Sequence, residues 1–311
     1  MELTNPAVVR ALLEKYGLQP KKGFGQNFLV NPSIPAHIAA YSRSHAPADR
    51  PAGVLEIGPG IGALTACLAE EYDRVAAVEI DRGLLPLLEE TLADCGNATV
   101  VNADFMKLDL PSFLDEHFGD LLSEGGTLSV CANLPYYITS PVMMKLIESF
   151  PFSRPLPFSS MVFMVQLEVA RRLAAQAGSA DYGAITASVA LRCTVEKFTD
   201  VSPGNFLPPP KVSSAVIGLI PHGGVREIDP MAPSGDTELE LFSARVEELI
   251  ALGFGQRRKT LLNALQPKVP KDVTAAALEA CGMRADIRGE KLSAADFCRL
   301  AHAMEKTGAE S

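Results

Sequence analysis

A chain of 311 residues is long enough for one large domain or two smaller ones, and 47% hydrophobic with 21% charged residues is an ordinary globular make-up. A net charge of −9 excludes a general nucleic-acid binder coated in positive charge, and no apolar run reaches the ~18 residues that would span a membrane. The six cysteines hold no Cys-x-x-Cys pair, the five histidines show no ligand spacing and the N-terminus has no apolar signal core, so no disulfide framework or metal site is expected and a cytoplasmic location is.

The first helix is predicted over 4–17: Asn5 caps it, Pro6 fits its first turn, and Val8, Val9, Leu12, Leu13 and Tyr16 form an apolar face. A polar, glycine-bearing segment, "KKGFGQNFLVNP", ends an N-terminal arm over 1–30. From Val54 the pattern alternates as a parallel α/β sheet does, with strands 54–57, 74–79, 99–102 and 127–132 and helices 63–71, 83–94 and 141–149. A strand near 158–165, helices near 166–177 and 183–192, and a strand pair around 193–198 and 214–220 complete a first domain, 1–222. Residues 221–236, rich in Pro and Gly, read as a linker. Beyond it the pattern is all helical, over 237–252, 257–265, 272–281 and 293–306, with Ser293 as the last N-cap, so 236–311 forms a small helical domain.

Charge divides unevenly between these regions. Residues 206–311 carry 13 basic against 14 acidic side chains, whereas 1–205 carry 15 against 23. Two basic clusters survive, Lys21-Lys22 and Arg257-Arg258-Lys259, and local patches rather than net charge decide phosphate contact.

The chemistry is concentrated at strand ends. "VLEIGPGIGALT" sets Gly58, Gly60 and Gly62 directly after the first strand, where glycines let the backbone turn sharply and approach a ligand. The spacing is G-x-G-x-G rather than the dinucleotide G-x-G-x-x-G, and Pro59 removes an N–H that a phosphate cradle would use. The second strand ends in Glu79, placed to accept from two ribose hydroxyls, and the third in Asp104, placed to hold an adenine amino group. With no phosphate machinery and no Walker lysine, S-adenosylmethionine fits such a rim better than a dinucleotide does.

The fourth strand ends in "NLPYYITSP". Pro135 forces Leu134 to be extended, which fixes where its carbonyl points. The Asn133 side-chain oxygen and the Leu134 carbonyl can then both accept from one exocyclic amine, while Tyr136 stacks on the ring that carries it. Two acceptors on its protons make the lone pair of an adenine N6 amine available, and holding that amine in line with a sulfonium methyl lowers the barrier through orientation. No general base is required before attack.

These segments together, "FGQNFL" (24–29), "LEIGPGIGALT", "VEID", "NADF", "NLPYYITSP", "FMVQLEVARRLAA" (163–175), "NFLPPPKVSSAV" (205–216) and "GFGQRRKTLLNAL" (253–265), resemble the ribosomal RNA adenine N6-dimethyltransferase family. The resemblance covers nearly the whole chain and is strongest to the bacterial small-subunit (16S) branch. It implies a Rossmann-like class I methyltransferase sheet with a small all-helical C-terminal domain, using S-adenosylmethionine to dimethylate two adjacent adenosines in a hairpin near the 3′ end of 16S RNA. It further implies that the enzyme meets its RNA in the immature small subunit, as a monomer, with a part in subunit biogenesis.

Carried over position by position, Asn27 and Leu29 would close over the cofactor, with Gly58, Gly60, Glu79, Asp104 and Asn133 binding it. Asn133, Leu134 and Tyr136 would hold the target adenine, and Phe206 would stack on its other face. Lys21, Lys22, Lys211, Arg257, Arg258 and Lys259 are expected at rRNA phosphates. The family usually has Lys where Leu167 stands and Asp where Ser213 stands, departures that bear on RNA contact rather than on the reacting atoms. Two relatives in kind compete with this reading: an assembly factor that keeps the fold and binds RNA without chemistry, and a methylase of the large-subunit 23S RNA. Loss of Gly58, Glu79, Asp104 or Asn133 would favour the first, and all four are present. A DNA adenine methyltransferase would more often carry Asp/Asn-Pro-Pro-Tyr at the rim and a separate sequence-reading domain, and neither is seen.

Overall fold

The computed structural model describes residues 1–19, 26–256 and 258–309. Lys21, Lys22 and Arg257, expected at RNA, and Phe24 and Gly25 of the arm motif lie outside the described residues.

Helix α1 (Pro6–Lys15) starts where the sequence predicts: Asn5 Oδ1 accepts from the Ala7 amide at 2.9 Å, and Val9, Leu12 and Leu13 are buried. Strand β1 (Phe28–Leu29) and helix α2 (Ser33–Arg43) follow. The nucleotide-fold core then runs β2 (Ala52–Ile57), α3 (Ala63–Glu71), β3 (Arg74–Glu79), α4 (Leu85–Thr91), β4 (Ala98–Asn102), α5 (Leu110–Ser123), β5 (Thr127–Asn133), α6 (Thr139–Glu148) and β6 (Ser160–Gln166). Helices α7 (Leu167–Leu173) and α8 (Ala184–Val189) precede strands β7 (Cys193–Val201), β8 (Phe206–Leu207) and β9 (Ser214–Pro221). The chain ends in α9 (Val225–Ile228), α10 (Asp236–Gly255), α11 (Leu261–Leu265), α12 (Lys271–Ala280) and α13 (Ala294–Ala309).

Seven strands form one sheet in the order β4-β3-β2-β5-β6-β9-β7, and β1 pairs antiparallel with β8 apart from it. The ladders from β4 across to β6 are parallel, and β9 runs antiparallel to β6. The strand order reverses between β2 and β5, which is where ligands bind in open parallel sheets. The central strands are buried along almost their whole length, and both faces read as near-continuous apolar runs, as parallel strands covered on two sides must.

By compactness the chain groups into two units. The first comprises Met1–Ser149, Pro157–Ala170 and Glu196–Ile220 and holds the cleft described below. The second comprises residues 150–156, 171–195 and those from 221 onward, with a core built from Phe242, Val246, Leu249 and Ile250 of α10 against Leu278 of α12 and Phe297, Leu300 and Met304 of α13. Ser293 caps α13 as expected, in a reciprocal box: its Oγ accepts from the Asp296 amide at 3.2 Å and Asp296 Oδ2 accepts from the Ser293 amide at 2.9 Å.

Several predicted elements are corrected. The helix expected over 83–94 is a 3-10 turn (Arg82–Leu84) followed by a shorter α4, because Pro86 belongs to a first turn rather than an interior. The stretch 221–236 is not a plain linker: Val225 and Asp229 are buried, and His302 Nε2 donates to Asp229 Oδ2 at 2.8 Å. A single buried apolar residue and a single buried acid leave no periodicity to read. Among the described residues no helix is long and apolar enough to cross a membrane.

Candidate active site

The loop after β2 is shaped by its glycines. Gly58, Gly60 and Gly62 adopt φ of 74°, 62° and 88°, a left-handed backbone that other residues enter only with strain. The Gly58 amide donates to the Val78 carbonyl at 2.9 Å, tying the loop to β3, and the Gly62 amide closes the turn on the Pro59 carbonyl at 2.9 Å. Two features of the neighbouring strand end complete the knot. Glu79 Oε2 accepts from the Gly60 amide at 3.3 Å and Oε1 from the Asp81 amide at 2.7 Å. Burial raises the Glu79 pKa even though these backbone donors lower it. Each oxygen keeps a further lone pair, so the carboxylate can still accept from ribose hydroxyls.

Asp104, at the end of the third parallel strand's turn, accepts from the Met106 amide at 3.0 Å through Oδ1, and Lys107 Nζ lies 3.5 Å from Oδ2. Asn133 is the last residue of β5, paired in register with Met164 of β6. Beyond it the Pro135 carbonyl accepts from the Ile138 amide at 3.1 Å and from Thr139 Oγ1 at 3.2 Å, so the turn is pinned to the start of α6. Tyr136 is partly buried, its hydroxyl 2.8 Å from Oγ of the fully buried Ser214, while Tyr137 is 63% exposed.

The structure gathers the predicted residues at one place. Asn27, Leu29, Gly58, Gly60 and Glu79 line the same cleft as Asp104, Asn133, Leu134, Tyr136 and Phe206, a space of ≈ 1190 Å³ partly open to solvent. Phe206 is buried against Leu29, Leu64 and Val216 and reaches the cleft from β8, where it pairs with Leu29 of β1. The basic residues expected at RNA are elsewhere: Lys211, Arg258 and Lys259 are exposed and none lines the cleft.

Sequence reasoning missed Glu56, the acid in the otherwise apolar strand "VLEIG". It lines the cleft, is 1% exposed, and its Oε2 has no hydrogen-bond partner among the described residues. Burial pushes its pKa up to about 8; the neighbouring Thr65 hydroxyl, which is outside hydrogen-bond geometry with Oε2, lowers it, and the Glu79 carboxylate raises it further. The signal was a charged residue inside a buried strand. Ser214 was missed as well, since nothing in its spacing points to Tyr136.

The described residues lining the cleft include three carboxyl groups, Glu56, Glu79 and Asp104, and no Lys, Arg or His. Among the described residues no cation lines the cleft to meet a phosphate, whereas a nucleoside carrying an ammonium and a sulfonium would find acceptors for both its charge and its hydroxyls. The unpartnered Glu56 oxygen offers a place for the ammonium, and S-adenosylmethionine therefore fits the residues present.

Comparisons with known proteins bear on the same point. Residues 17–306 match the family described as ribosomal RNA adenine dimethylase. The ribosomal RNA small subunit methyltransferase A of Shouchella clausii (strain KSM-K16) is 39% identical over 312 residues, covering 98% of this chain and 97% of its own. The protein of the same name from Alkaliphilus metalliredigens (strain QYMF) is 38% identical over 302 residues, covering 96% of each. Among solved structures, a dimethyladenosine transferase from Plasmodium falciparum matches with a TM-score of 0.68 at 27% identity, over 90% of this chain and 98% of that one. The 23S rRNA methyltransferase ErmE matches with a TM-score of 0.64 at 26% identity, over 90% and 100%.

Proposed function

The chain belongs to the ribosomal RNA adenine dimethylase family, and from that premise we propose that it dimethylates, at N6, two adjacent adenosines in a hairpin near the 3′ end of the small-subunit RNA. The activity is that of an S-adenosylmethionine-dependent rRNA adenine dimethyltransferase of the small subunit. The observation that carries the finer reading is Asn133-Leu134-Pro135-Tyr136 turning into a cleft whose described lining includes three carboxyl groups and no Lys, Arg or His.

S-adenosylmethionine supplies an electrophilic methyl group when bound. Gly58, Gly60, Glu79 and Asp104 would hold it, and Glu56 would face its ammonium. Asn133 Oδ1 and the Leu134 carbonyl accept from the adenine N6 amine, which localises its lone pair. Tyr136 supports one face of the base and Phe206 the other, so the flipped nucleotide is held for an in-line transfer. No base is needed at the amine before attack, because the proton leaves readily once nitrogen is alkylated. Lys211, Arg258, Lys259 and, outside the described residues, Lys21, Lys22 and Arg257 would contact rRNA phosphates. The helices from 236 onward would form the C-terminal RNA-contacting domain, and the enzyme would act in the cytoplasm on immature subunits, as a monomer.

The relatives at 38–39% identity are named for the small subunit, which favours it over the large subunit of the 23S enzyme matched at 26%. The test is transfer of labelled methyl groups to immature small subunits, mature small subunits and large subunits. Label is expected only in the immature small subunits, as dimethyladenosine. Label in large subunits would move the chain to the other branch, and binding without transfer would make it an assembly factor.

A further inference from the structure

Lys145 lies in α6, two turns beyond the Asn133–Ile138 turn; its charge adds to the Ser112 hydrogen bonds that lower the pKa of Asp109, but its own hydrogen bonds go to backbone carbonyls. Nζ donates to the Met106 carbonyl at 2.9 Å and to the Leu108 carbonyl at 2.6 Å, and lies 5.6 Å from the centre of the Phe105 ring. These are the residues that follow Asp104. The same 3-10 turn, Phe105–Lys107, is closed at its other end by Asp104 itself, through the Met106 amide. A partly buried ammonium on two carbonyls is a charge-assisted clamp, stronger than neutral hydrogen bonds.

The clamp joins two halves of the cleft. One turn before Lys145 on the same face of α6, Val142 lines the cleft, and α6 itself grows directly from the turn that presents Asn133. The loop it grips carries Asp104, Phe105 and Met106, which line the cleft from the β4 side. β4 and β5 are separated in the sheet by β3 and β2, so no backbone ladder connects these two edges.

Resting on the reading of the cleft as the cofactor site, we propose that Lys145 is a positioning residue: it fixes the Asp104 turn against the helix that carries the methyl-transfer turn, and so sets cofactor affinity. Asp104 meets the ligand, and Lys145 acts through it. A Lys used for RNA phosphate would leave its ammonium free, and a Lys that merely completed the fold would change stability and turnover together.

The experiment is calorimetric binding of S-adenosylhomocysteine to the full chain and to its Lys145→Met and Lys145→Arg variants, with thermal unfolding and methyl transfer at saturating S-adenosylmethionine measured alongside. Lys145→Met is expected to weaken binding about tenfold, equivalent to about 1.4 kcal/mol. Loss of the two hydrogen bonds should lower the melting temperature by a few degrees, saturated turnover should stay near wild type, and Lys145→Arg should restore most of the affinity. If Lys145→Met does not fold, Lys145→Gln, which keeps a donor, should show an intermediate loss. Unchanged affinity in the folded variant overturns the proposal, as does a loss of RNA binding with cofactor binding intact. If the wild-type chain binds no S-adenosylhomocysteine, the reading of the cleft fails first and this inference with it.

Discussion

Glu56 shows how one residue makes the cleft's chemistry depend on pH. Its pKa is raised from the usual 4.5 to about 8, chiefly by burial. Below about pH 4.5 it is neutral whether the chain is folded or not. As pH rises from there through about 8, the unfolded chain releases the proton while the folded one keeps it, so the unfolded state gains and stability falls. Glu56→Gln removes that loss. The ligand-free variant should melt close to wild type at pH 5 and a few degrees above it at pH 8.5, as thermal unfolding at both values would show; an equal gap at the two pH values would contradict the assignment. Asn133 is the other decisive residue. Asn133→Ala should abolish methyl transfer while leaving cofactor affinity within about tenfold, or about 1.4 kcal/mol, because the side chain it loses serves the amine. Substantial residual turnover would remove Asn133 from its acceptor role.

At the scale of elements, β2 owes its position to a residue without a side chain. A Cβ on Gly53 would sit 2.7 Å from Cδ1 of Phe118, a residue of α5 that is fully buried. Gly53→Ala should therefore destabilise the chain by about 1–3 kcal/mol in denaturant titration, since overpacking forces a ring or a strand to move. A cost below about 0.5 kcal/mol would mean that α5 yields freely. Helix α5 itself lies outside the predicted elements although its face was there to be read: Leu110, Phe113, Leu114, Phe118 and Leu121 are buried at helical spacing behind an Asp109 cap. Helix α2 was harder. Its start repeats the Asn-Pro signal of α1, with Asn31 Oδ1 accepting from the Ser33 amide at 3.1 Å and Pro32 following it, but a second proline, Pro35, in the first turn makes the stretch read as a loop. The two-residue strands β1 and β8 have no sequence signature of their own, because each exists only by pairing with the other.

For the whole molecule, an acidic chain must reach a polyanion through local patches. Arg258 and Lys259 are exposed, with near-neutral charge across the C-terminal third. Reversing both, as Arg258→Glu with Lys259→Glu, should weaken binding to small subunits by about tenfold or more and flatten its salt dependence, each lost phosphate contact removing about 0.7–0.9 from the slope. S-adenosylhomocysteine affinity should be unchanged. Equal salt slopes for variant and wild type would place the RNA contacts elsewhere.

The sequence by itself determined the set of rim residues. Gly58, Glu79, Asp104 and Asn133 each end a strand or its turn, and a parallel sheet brings all such ends to one edge, so local patterning was enough to assemble the site. Only the tertiary structure decided what surrounds them. Ser214 meets Tyr136 across 78 residues and Lys145 reaches the Asp104 turn across 37 and 39, and Glu56 faces inward although a buried parallel strand reads apolar on both faces. It also grouped residues 171–195 with the helices beyond 221, where the sequence suggests one boundary at 222. Periodicity reports which face of an element is apolar; which distant polar group meets which is set by packing, and packing leaves no period to read.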